Sequence, residues 1–505
     1  MILSRYNLKK IDAPGLVPPG ENIFELPEKV LQFGTGVLLR GLPDYFIDKA
    51  NREGIFNGRI VVVKTTDVGS ASDFDRQDGL YTLHVKGIEN GQEVNEQQIC
   101  SAISRVLYAA DDWASILKIA HNPQLKIVIS NTTEVGIALV QDNVKKYPPI
   151  SFPGKLLAIL HERYKAFGGS DKSGLVIIAT ELIADNGKKL EAIVLELAHL
   201  NKLEPAFMDW LENCNHFCNS LVDRIVPGKP DKELNAKLEK QTGYQDELRI
   251  IAEVYCLWAI EGNEEIRSVL SFAKVHPGVI ITPDIQMFRE LKLRLLNGTH
   301  TLSCAVAFLS GFKTVTEAMD NPAFSAFVSG LMLNEIAPAI PYKIDDDTAA
   351  NFAGNVIDRF KNPNIAHQWI SISAQYAAKL KFRVLPLLLN HYKQSNKVPE
   401  RLVFGFAAFL RFMKVTGSVD GKFTGHINGH DYVVTDSNAE KFEQAWQSTD
   451  VKTVVETILK DSLLWETDLT KLPGFKDAII NSLNVIIANG TLPILEGFDL
   501  KNADK

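Results

Sequence analysis

The feature that most constrains the fold is a series of short apolar runs in the first half of the chain. They lie at residues 30–33, 60–64, 125–130 and 174–180, and most of them are rich in Val and Ile. They lack the polar alternation of half-exposed strands, which indicates strands buried on both faces of a parallel sheet. Helical stretches separate these runs, so the sequence predicts a doubly wound α/β domain.

The second half of the chain shows three- and four-residue apolar spacing, which is typical of helices. We expect the main boundary where Pro277, Gly278 and Pro283 interrupt the chain, dividing it into domains of residues 1–280 and 281–505. The second domain is predicted to be all-α, with one exception, a β-hairpin that turns at Asn428–Gly429. Its helices are expected at 288–312, 322–334, 346–360, 366–378, 399–415, 439–447 and 451–460.

Composition limits the class of partner. The net charge of −7 offers no basic field for nucleic acid or anionic lipid. No apolar run approaches the roughly 18–20 residues that cross a bilayer, and the first residues lack the apolar core of a signal peptide. We therefore expect a cytoplasmic protein that binds a small molecule, as a monomer or a small homo-oligomer.

The five cysteines are an odd number spread over a long chain, which suits free thiols in a reducing compartment. Cys214, His216 and Cys218 could offer metal ligands, but no second Cys/His pair lies near them in sequence. We expect these three to be half-buried helix residues and predict no metal site.

A glycine turn follows the first apolar run. Gly34, Thr35 and Gly36 lead into a helical pattern, as in the turns that bring a backbone close to the pyrophosphate of a dinucleotide. The third glycine of the G-x-G-x-x-G motif would fall at Leu39, so the helix must pack differently there, or Gly41 relieves the contact slightly later. A plain strand-to-helix turn is the alternative.

Two further segments bear on a dinucleotide. Asn131 and Thr132 follow the third run, at a strand end where such sheets bind ligands, although the cluster also suits a simple turn. The acidic residue that would bind the adenosine ribose comes late, at Asp67, and Lys64 or Thr65 takes its usual place. The sequence therefore leaves the choice between NAD and NADP open.

Lys292, Asn297 and His300 form a K-x4-N-x2-H pattern at the start of the second domain. At about 100° per residue, Asn297 lies about 140° from Lys292 and His300 falls between them. This arrangement fits metal-free alcohol–ketone interconversion, with Lys292 as general acid and base and the other two holding the reacting oxygen. The alternative is a surface lysine beside a core histidine.

Several motifs in order resemble the mannitol dehydrogenase family of long-chain polyol and uronate dehydrogenases. Besides the glycine turn and the K-x4-N-x2-H pattern, they are QDGLYT at 77–82, TEVG at 133–136, SFPGKL at 151–156, NSLVDRIVP at 219–227, Glu253 with Trp258, and RFKNP at 359–363. The resemblance implies a Rossmann-like domain, a helical domain, a site between them and NAD as cofactor. It favours the uronate members, with the mannitol-oxidising members left open.

The resemblance also implies substrate-binding residues. Glu181 and Leu182 stand where mannitol enzymes carry an Asp-Asn pair, so Glu181 either binds substrate hydroxyls or serves as a structural carboxylate. Glu253 and Trp258 resemble positions that line the cleft, although a role in packing explains them equally well. A sugar acid needs a basic partner for its carboxylate, and the candidates are Arg359, Lys379 and Arg383.

Two functions without catalysis remain as alternatives. A dinucleotide-binding regulatory protein would have no chemical need for Lys292, Asn297 and His300 together. A helical scaffold would leave the glycine turn and its strands unexplained. The sequence therefore favours an enzyme.

Overall fold

The computed structural model of the chain describes residues 1–65, 72–133 and 135–503. These residues form two compact units, one of residues 1–87 and 93–285 and the other of residues 88–92 and 286–505. In the described part of the chain, no helix is both long and apolar enough to span a membrane.

The strands in chain order are β1 (Leu16–Val17), β2 (Glu28–Phe33), β3 (Arg59–Lys64), β4 (Tyr81–Glu89), β5 (Gln92–Cys100), β6 (Ile103–Tyr108), β7 (Ile127–Ser130), β8 (Val176–Ala179), β9 (His216–Cys218), β10 (Ser220–Asp223), β11 (Ile250–Glu253), β12 (Leu257–Glu261), β13 (Val279–Thr282), β14 (Val415–Val419), β15 (Lys422–Ile427) and β16 (His430–Val433). The helices are α1 (Val37–Gly41), α2 (Pro43–Arg52), α3 (Ser72–Arg76), α4 (Trp113–Ile119), α5 (Phe152–Ala166), α6 (Asn186–Leu200), α7 (Pro205–Cys214), α8 (Lys232–Thr242), α9 (Glu264–Val269), α10 (Gln286–Glu290), α11 (Asn297–Leu309), α12 (Val315–Met319), α13 (Pro322–Gly330), α14 (Asp346–Phe360), α15 (Trp369–Ile372), α16 (Tyr376–Arg383), α17 (Leu385–Gln394), α18 (Glu400–Phe412), α19 (Ala439–Ala445), α20 (Val451–Lys460), α21 (Ser462–Trp465), α22 (Phe475–Asn489) and α23 (Leu492–Ala503). Two π-helical segments, Leu291–Leu296 and Leu331–Ile336, continue α10 and α13.

The first unit contains a six-stranded parallel sheet in the order β6-β3-β2-β7-β8-β9. Counted within this sheet, the order is 3-2-1-4-5-6, which is that of a Rossmann fold. The predicted doubly wound α/β domain is therefore confirmed. The strand order reverses between β2 and β7, and this switch point is where such sheets bind ligands, beyond the carboxyl ends of the strands.

Burial on both faces explains why the strands lack polar alternation. Along β3, Ile60 and Val62 belong to one apolar core, whereas Val61 and Val63 belong to another. All four side chains are fully buried, so each face of the sheet has its own core. Two smaller sheets, β1-β5-β4-β11 and β10-β12-β13, complete the first unit.

The prediction of a helix through Cys214, His216 and Cys218 was wrong. Cys214 ends α7, and the next two residues of the set lie on β9, the edge strand of the parallel sheet. Among the described residues no cluster of His, Cys, Asp and Glu could hold a metal ion. The five cysteines are free thiols.

The second unit is helical, with one three-stranded antiparallel sheet, β14-β15-β16. The predicted hairpin is confirmed, with positive φ angles at Asn428 and Gly429, and β14 adds a strand to it. The predicted helix over 366–378 was wrong in its bounds. Gln375 has a φ of +53° and lies just before α16, so the segment forms two short helices, α15 and α16.

Candidate active site

The glycine turn lies at the switch point of the parallel sheet. Gly34 has a φ of +123°, and a Cβ added there would lie 3.0 Å from both the Asn131 carbonyl oxygen and Leu39 Cδ1. A glycine is therefore required, because a side chain would be strained and would crowd the neighbouring strand end. At Gly36, just before α1, an added Cβ would meet nothing within 4 Å, so the backbone there is open to a ligand.

Gly41 lets α1 pack closely against a neighbouring segment, which is a role that the third glycine of the motif would otherwise have. A Cβ added at Gly41 would lie 2.9 Å from Val226 Cγ2, in the segment after β10. Leu39, which occupies the motif position, is buried in the same apolar core as Ile60 and Val62. The turn keeps an open backbone although the third glycine is displaced by two residues.

Asn131 and Thr132 are held by hydrogen bonds to the end of the next strand. Asn131 Nδ2 donates to the carbonyl oxygen of Thr180 (3.1 Å) and to its Oγ1 (3.0 Å). The Thr132 backbone N–H and hydroxyl both donate to Glu181 Oε1, at 2.9 and 3.0 Å. This short loop is therefore fixed beside the glycine turn.

Glu181, for which the sequence leaves two roles open, accepts hydrogen bonds from the loop at 130–132. Its side chain is buried, and besides Thr132 it accepts a hydrogen bond from Ser130 Oγ at 3.1 Å. Burial raises the pKa of this carboxyl, and the bonds from Thr132 and Ser130 oppose the rise. These bonds fit a residue that positions the loop, and a contact of Glu181 with substrate hydroxyls stays a prediction. Leu182, which follows it, is largely exposed.

The structure also favours packing roles for Glu253 and Trp258. Glu253 is buried at the end of β11, and its Oε1 accepts a hydrogen bond from the Ile225 N–H at 2.6 Å. Trp258 is fully buried on β12 and stacks on Phe272 with 5.5 Å between ring centroids. These contacts describe packing, and the expected place of the two residues along a substrate cleft stays a prediction.

The residue that was expected to choose between NAD and NADP cannot be placed. Asp67 lies outside the described residues, as does Glu134 of the TEVG motif. Lys64 is buried at the end of β3, with its ammonium 5.4 Å from the centroid of the Tyr108 ring.

In the second unit, Lys292 lies on a π-helical segment that ends just before Asn297. The segment Leu291–Leu296 carries Lys292, and α11 begins at Asn297, whose N–H donates to the carbonyls of Leu293 and Lys292. A π-turn closes over five residues instead of four, so it brings Asn297 back toward the side of Lys292. The predicted separation of about 140° was wrong because it assumed an unbroken α-helix.

His300 lies in a buried aromatic setting one turn along α11. Its ring stacks on Phe360 at 4.2 Å and packs edge-on against His367 and Trp369. Its Nε2 is buried and has no hydrogen-bond partner within the described parts of the chain. A buried polar atom of this kind is costly unless a ligand pairs with it.

Several basic side chains act on the charge of His300. Burial holds the pKa of His300 well below its usual range, and His367, Arg359, Arg383 and Lys379 lower it further by electrostatic repulsion. The structure therefore brings all three predicted carboxylate partners together around a candidate catalytic residue. His367 is an addition that the sequence analysis missed, because no motif or helical spacing marks a histidine in the segment before α15.

Two of these basic groups are tied to the protein. Arg383 Nη1 donates to Thr301 Oγ1 at 3.1 Å, and Lys379 Nζ donates to the Ile372 carbonyl oxygen at 2.8 Å. Burial lowers the pKa of Lys379, with a further contribution from Arg383. Both side chains are only partly buried, so they can still reach a ligand.

A cavity of about 570 Å³ in the second unit lies on another face of α16. Arg294, Lys381, Phe382 and Leu385 are among its lining residues, whereas Lys292, Asn297 and His300 are not. The cavity is therefore separate from the candidate catalytic residues.

Comparison with known proteins identifies the family. Residues 28–271 match the family model of the mannitol dehydrogenase Rossmann domain, and residues 284–487 match that of the mannitol dehydrogenase C-terminal domain. The altronate oxidoreductase of Bacillus subtilis (strain 168) is 38% identical over 485 residues, which cover 95% of this chain and 97% of that protein. The altronate oxidoreductase of Escherichia coli O7:K1 (strain IAI39 / ExPEC) is 36% identical over 475 residues, covering 92% and 96%.

Solved structures show the same fold at lower identity. The mannitol 2-dehydrogenase of Pseudomonas fluorescens, in a ternary complex with NAD and D-mannitol, is 22% identical with a TM-score of 0.67 and covers 98% of this chain and 99% of its own. A substrate-free D-sorbitol dehydrogenase is 20% identical with a TM-score of 0.77, covering 97% and 99%. With both of its domains matched and relatives that are more than a third identical along nearly its whole length, this chain belongs to the mannitol dehydrogenase family.

Proposed function

We propose that this protein is an NAD-dependent oxidoreductase that reversibly reduces D-tagaturonate to D-altronate in hexuronate catabolism. The observation that carries the proposal is the group of basic side chains around His300, because a sugar acid brings a carboxylate that a polyol lacks. The names of the relatives at 36–38% identity, altronate oxidoreductase, support the same substrate.

The first unit supplies the residues that would hold NAD. The open turn at Gly34, Thr35 and Gly36 suits the pyrophosphate, and Asn131 and Thr132 lie at the neighbouring strand end across the switch point. The solved complex of the Pseudomonas fluorescens enzyme with NAD and D-mannitol agrees with this cofactor. When bound, the nicotinamide supplies or accepts a hydride, and the task of the protein is to orient it.

Lys292 is proposed as the general acid in ketone reduction and as the general base in alcohol oxidation. Asn297 shares its side of the helix through the π-turn, so both can address one oxygen of the substrate. His300 stays neutral because burial and its basic neighbours lower its pKa, and a neutral imidazole offers one donor and one acceptor. The three residues can therefore hold the oxygen while Lys292 moves the proton, without a metal.

Arg359, Lys379 and Arg383 are proposed to hold the substrate carboxylate. An arginine can pair with a carboxylate through two parallel hydrogen bonds, which fixes its orientation as well as its charge. Burial and the charges of Lys379 and Arg359 lower the pKa of His367, and its neutral imidazole offers one further donor. Since fructuronate also carries a carboxylate, fructuronate reduction is the nearest alternative, followed by the oxidation of mannitol.

The test is NADH consumption by the purified protein with D-tagaturonate, D-fructuronate and D-fructose offered separately at equal concentration. The proposal predicts the highest kcat/KM with tagaturonate. Preference for fructuronate would move the protein to the neighbouring uronate activity, and preference for fructose would contradict the role of the basic group. No activity with any of them would favour a non-catalytic dinucleotide-binding protein.

A further inference from the structure

A buried ion pair lies on the helix that carries Lys292. Arg294 Nε donates to Glu290 Oε2 at 3.0 Å, and the two side chains are 8% and 11% exposed. Gln286 Nε2 also donates to Glu290, at 3.3 Å to Oε1. A buried pair of this kind is expensive to desolvate, so its net contribution to stability is small.

Arg294 also holds the end of α16. Its Nη1 donates to the carbonyl oxygens of Phe382 (2.6 Å) and Arg383 (2.9 Å). The last carbonyls of a helix have no partner within the helix, and a cation next to them is favoured by the helix dipole. Arg294 therefore fixes the backbone of the residue whose guanidinium belongs to the basic group around His300.

The side chain of Arg383 returns to the helix from which Arg294 comes. Its Nη1 lies 3.1 Å from Thr301 Oγ1 and 3.5 Å from the Asn297 carbonyl oxygen, and Thr301 Oγ1 donates to that same carbonyl at 2.8 Å. The two arginines thus link the same two elements in both directions: Arg294 reaches from the π-helical segment to the end of α16, and Arg383 reaches from α16 back to α11. The direction of the Arg383 guanidinium therefore depends on the bond from Arg294 to its backbone and on its own bond to Thr301.

The other end of α16 is fixed independently. The Tyr376 hydroxyl donates to the Thr301 carbonyl oxygen at 2.7 Å and accepts from the Ala305 N–H at 2.9 Å. Because Tyr376 anchors the start of α16 to α11, loss of Arg294 should release the end of α16 without detaching the helix.

We propose that Arg294 is a positioning residue for substrate selection, which acts by holding Arg383 in the orientation that binds the substrate carboxylate. The inference rests on the proposed function, since it assumes that Arg383 meets a carboxylate. Glu290 serves the same purpose by accepting a hydrogen bond from Arg294 Nε, which keeps the guanidinium aligned.

The test is a double-mutant cycle in steady-state kinetics with NADH and D-tagaturonate. Arg294→Met is expected to raise KM on the order of tenfold to a hundredfold with a smaller change in kcat, because a misplaced binding group weakens productive orientation. Arg383→Met is expected to do the same. The combination Arg294→Met/Arg383→Met should be no worse than Arg383→Met alone, because Arg294 acts through Arg383.

Further variants separate positioning from a general structural role. Arg294→Lys keeps the charge and should restore part of the KM, whereas Glu290→Gln/Arg294→Met removes both charges and guards against misfolding caused by an unpaired carboxylate. Arg411→Met is the matched control. Arg411 lies on α18, and its Nη2 likewise donates to a backbone carbonyl of another element, that of His426 on β15, at 3.2 Å. The KM of this variant should equal that of the wild type.

The outcomes are distinct. If the effects of Arg294→Met and Arg383→Met on KM multiply in the double variant, Arg294 does not act through Arg383. The same conclusion follows if Arg294→Met lowers kcat and changes KM as little as Arg411→Met does. If the wild type reduces none of the keto-acids, the proposed function has failed instead. In that case the same cycle is measured as the rise in thermal midpoint that D-altronate produces in each protein. If the two single variants each reduce this rise and their reductions add in the double variant, the inference is overturned.

Discussion

Replacing Asp44 by Asn is expected to make the folded protein more stable at pH 8 but not at pH 4. Asp44 is fully buried in the first turn of α2. Gln32 Nε2 links it to the glycine turn, donating to Asp44 Oδ2 at 3.4 Å and to the Gly34 carbonyl oxygen at 3.3 Å. Burial raises the pKa of Asp44 from 3.8 to about 8, against the opposing effects of Gln32 and Arg40.

The sign of the effect follows from proton uptake. Below pH about 4 the carboxyl is protonated in both the folded and the unfolded chain. Between pH about 4 and about 8 the unfolded chain loses the proton while the folded chain keeps it, so stability falls as pH rises, by about 1.4 kcal/mol per pH unit. Above pH about 8 the slope disappears. Asn has no proton to lose, so Asp44→Asn removes this contribution.

The assay is chemical denaturation of the wild type and Asp44→Asn at pH 5 and pH 8. The stability of the variant relative to the wild type is expected to rise by about 4 kcal/mol at most between these pH values. The comparison cancels every other titrating group, because the two chains share them. Parallel pH dependence of the two proteins would show that Asp44 ionises near its ordinary pKa and would refute the reasoning.

Three further predictions concern the candidate site. Lys292→Ala should lower kcat by about 10²–10⁴-fold while NADH still binds, and near-normal turnover would remove Lys292 from the mechanism. Gly34→Ala should weaken NADH binding in a fluorescence titration and cost about 1–3 kcal/mol of stability, because its φ of +123° and its 3.0 Å contacts exclude a side chain; unchanged binding would contradict this. Glu181→Ala should leave the Thr132 N–H unpaired, lower the free energy of unfolding by about 1–3 kcal/mol and raise the Kd for NADH. Glu181→Gln should lose less stability and affinity, and an equal loss in both variants would argue against the hydrogen-bonding role.

The parallel sheet could be predicted because its physics is local. Buried parallel strands need apolar residues on both faces, and β3 shows this directly as an uninterrupted run of Ile and Val. The glycine turn was equally readable, since a positive φ at Gly34 has few alternatives to glycine. The helices α14 and α20 begin and end where their apolar spacing predicts.

The remaining parts of the site depend on contacts between distant residues. The π-segment before Asn297 keeps an ordinary helical composition, so nothing in the residues alone reveals the extra residue in the turn. The partners of Glu181 follow a neighbouring strand some fifty positions away and become visible only once β7 and β8 are paired. The contact of His367 with His300, and that of Arg294 with the end of α16, likewise join residues that meet only in the folded unit.

The central claim is that basic side chains around His300 select a sugar acid. The most direct measurement is the ratio of kcat/KM for D-tagaturonate to that for D-fructose, in the wild type and in Arg383→Met. The account predicts a ratio well above one in the wild type, falling on the order of tenfold to a hundredfold in the variant, since a hydrogen bond to a charged group contributes about 1.5–3 kcal/mol. A ratio near one in the wild type, or an equal ratio in both proteins, would contradict it.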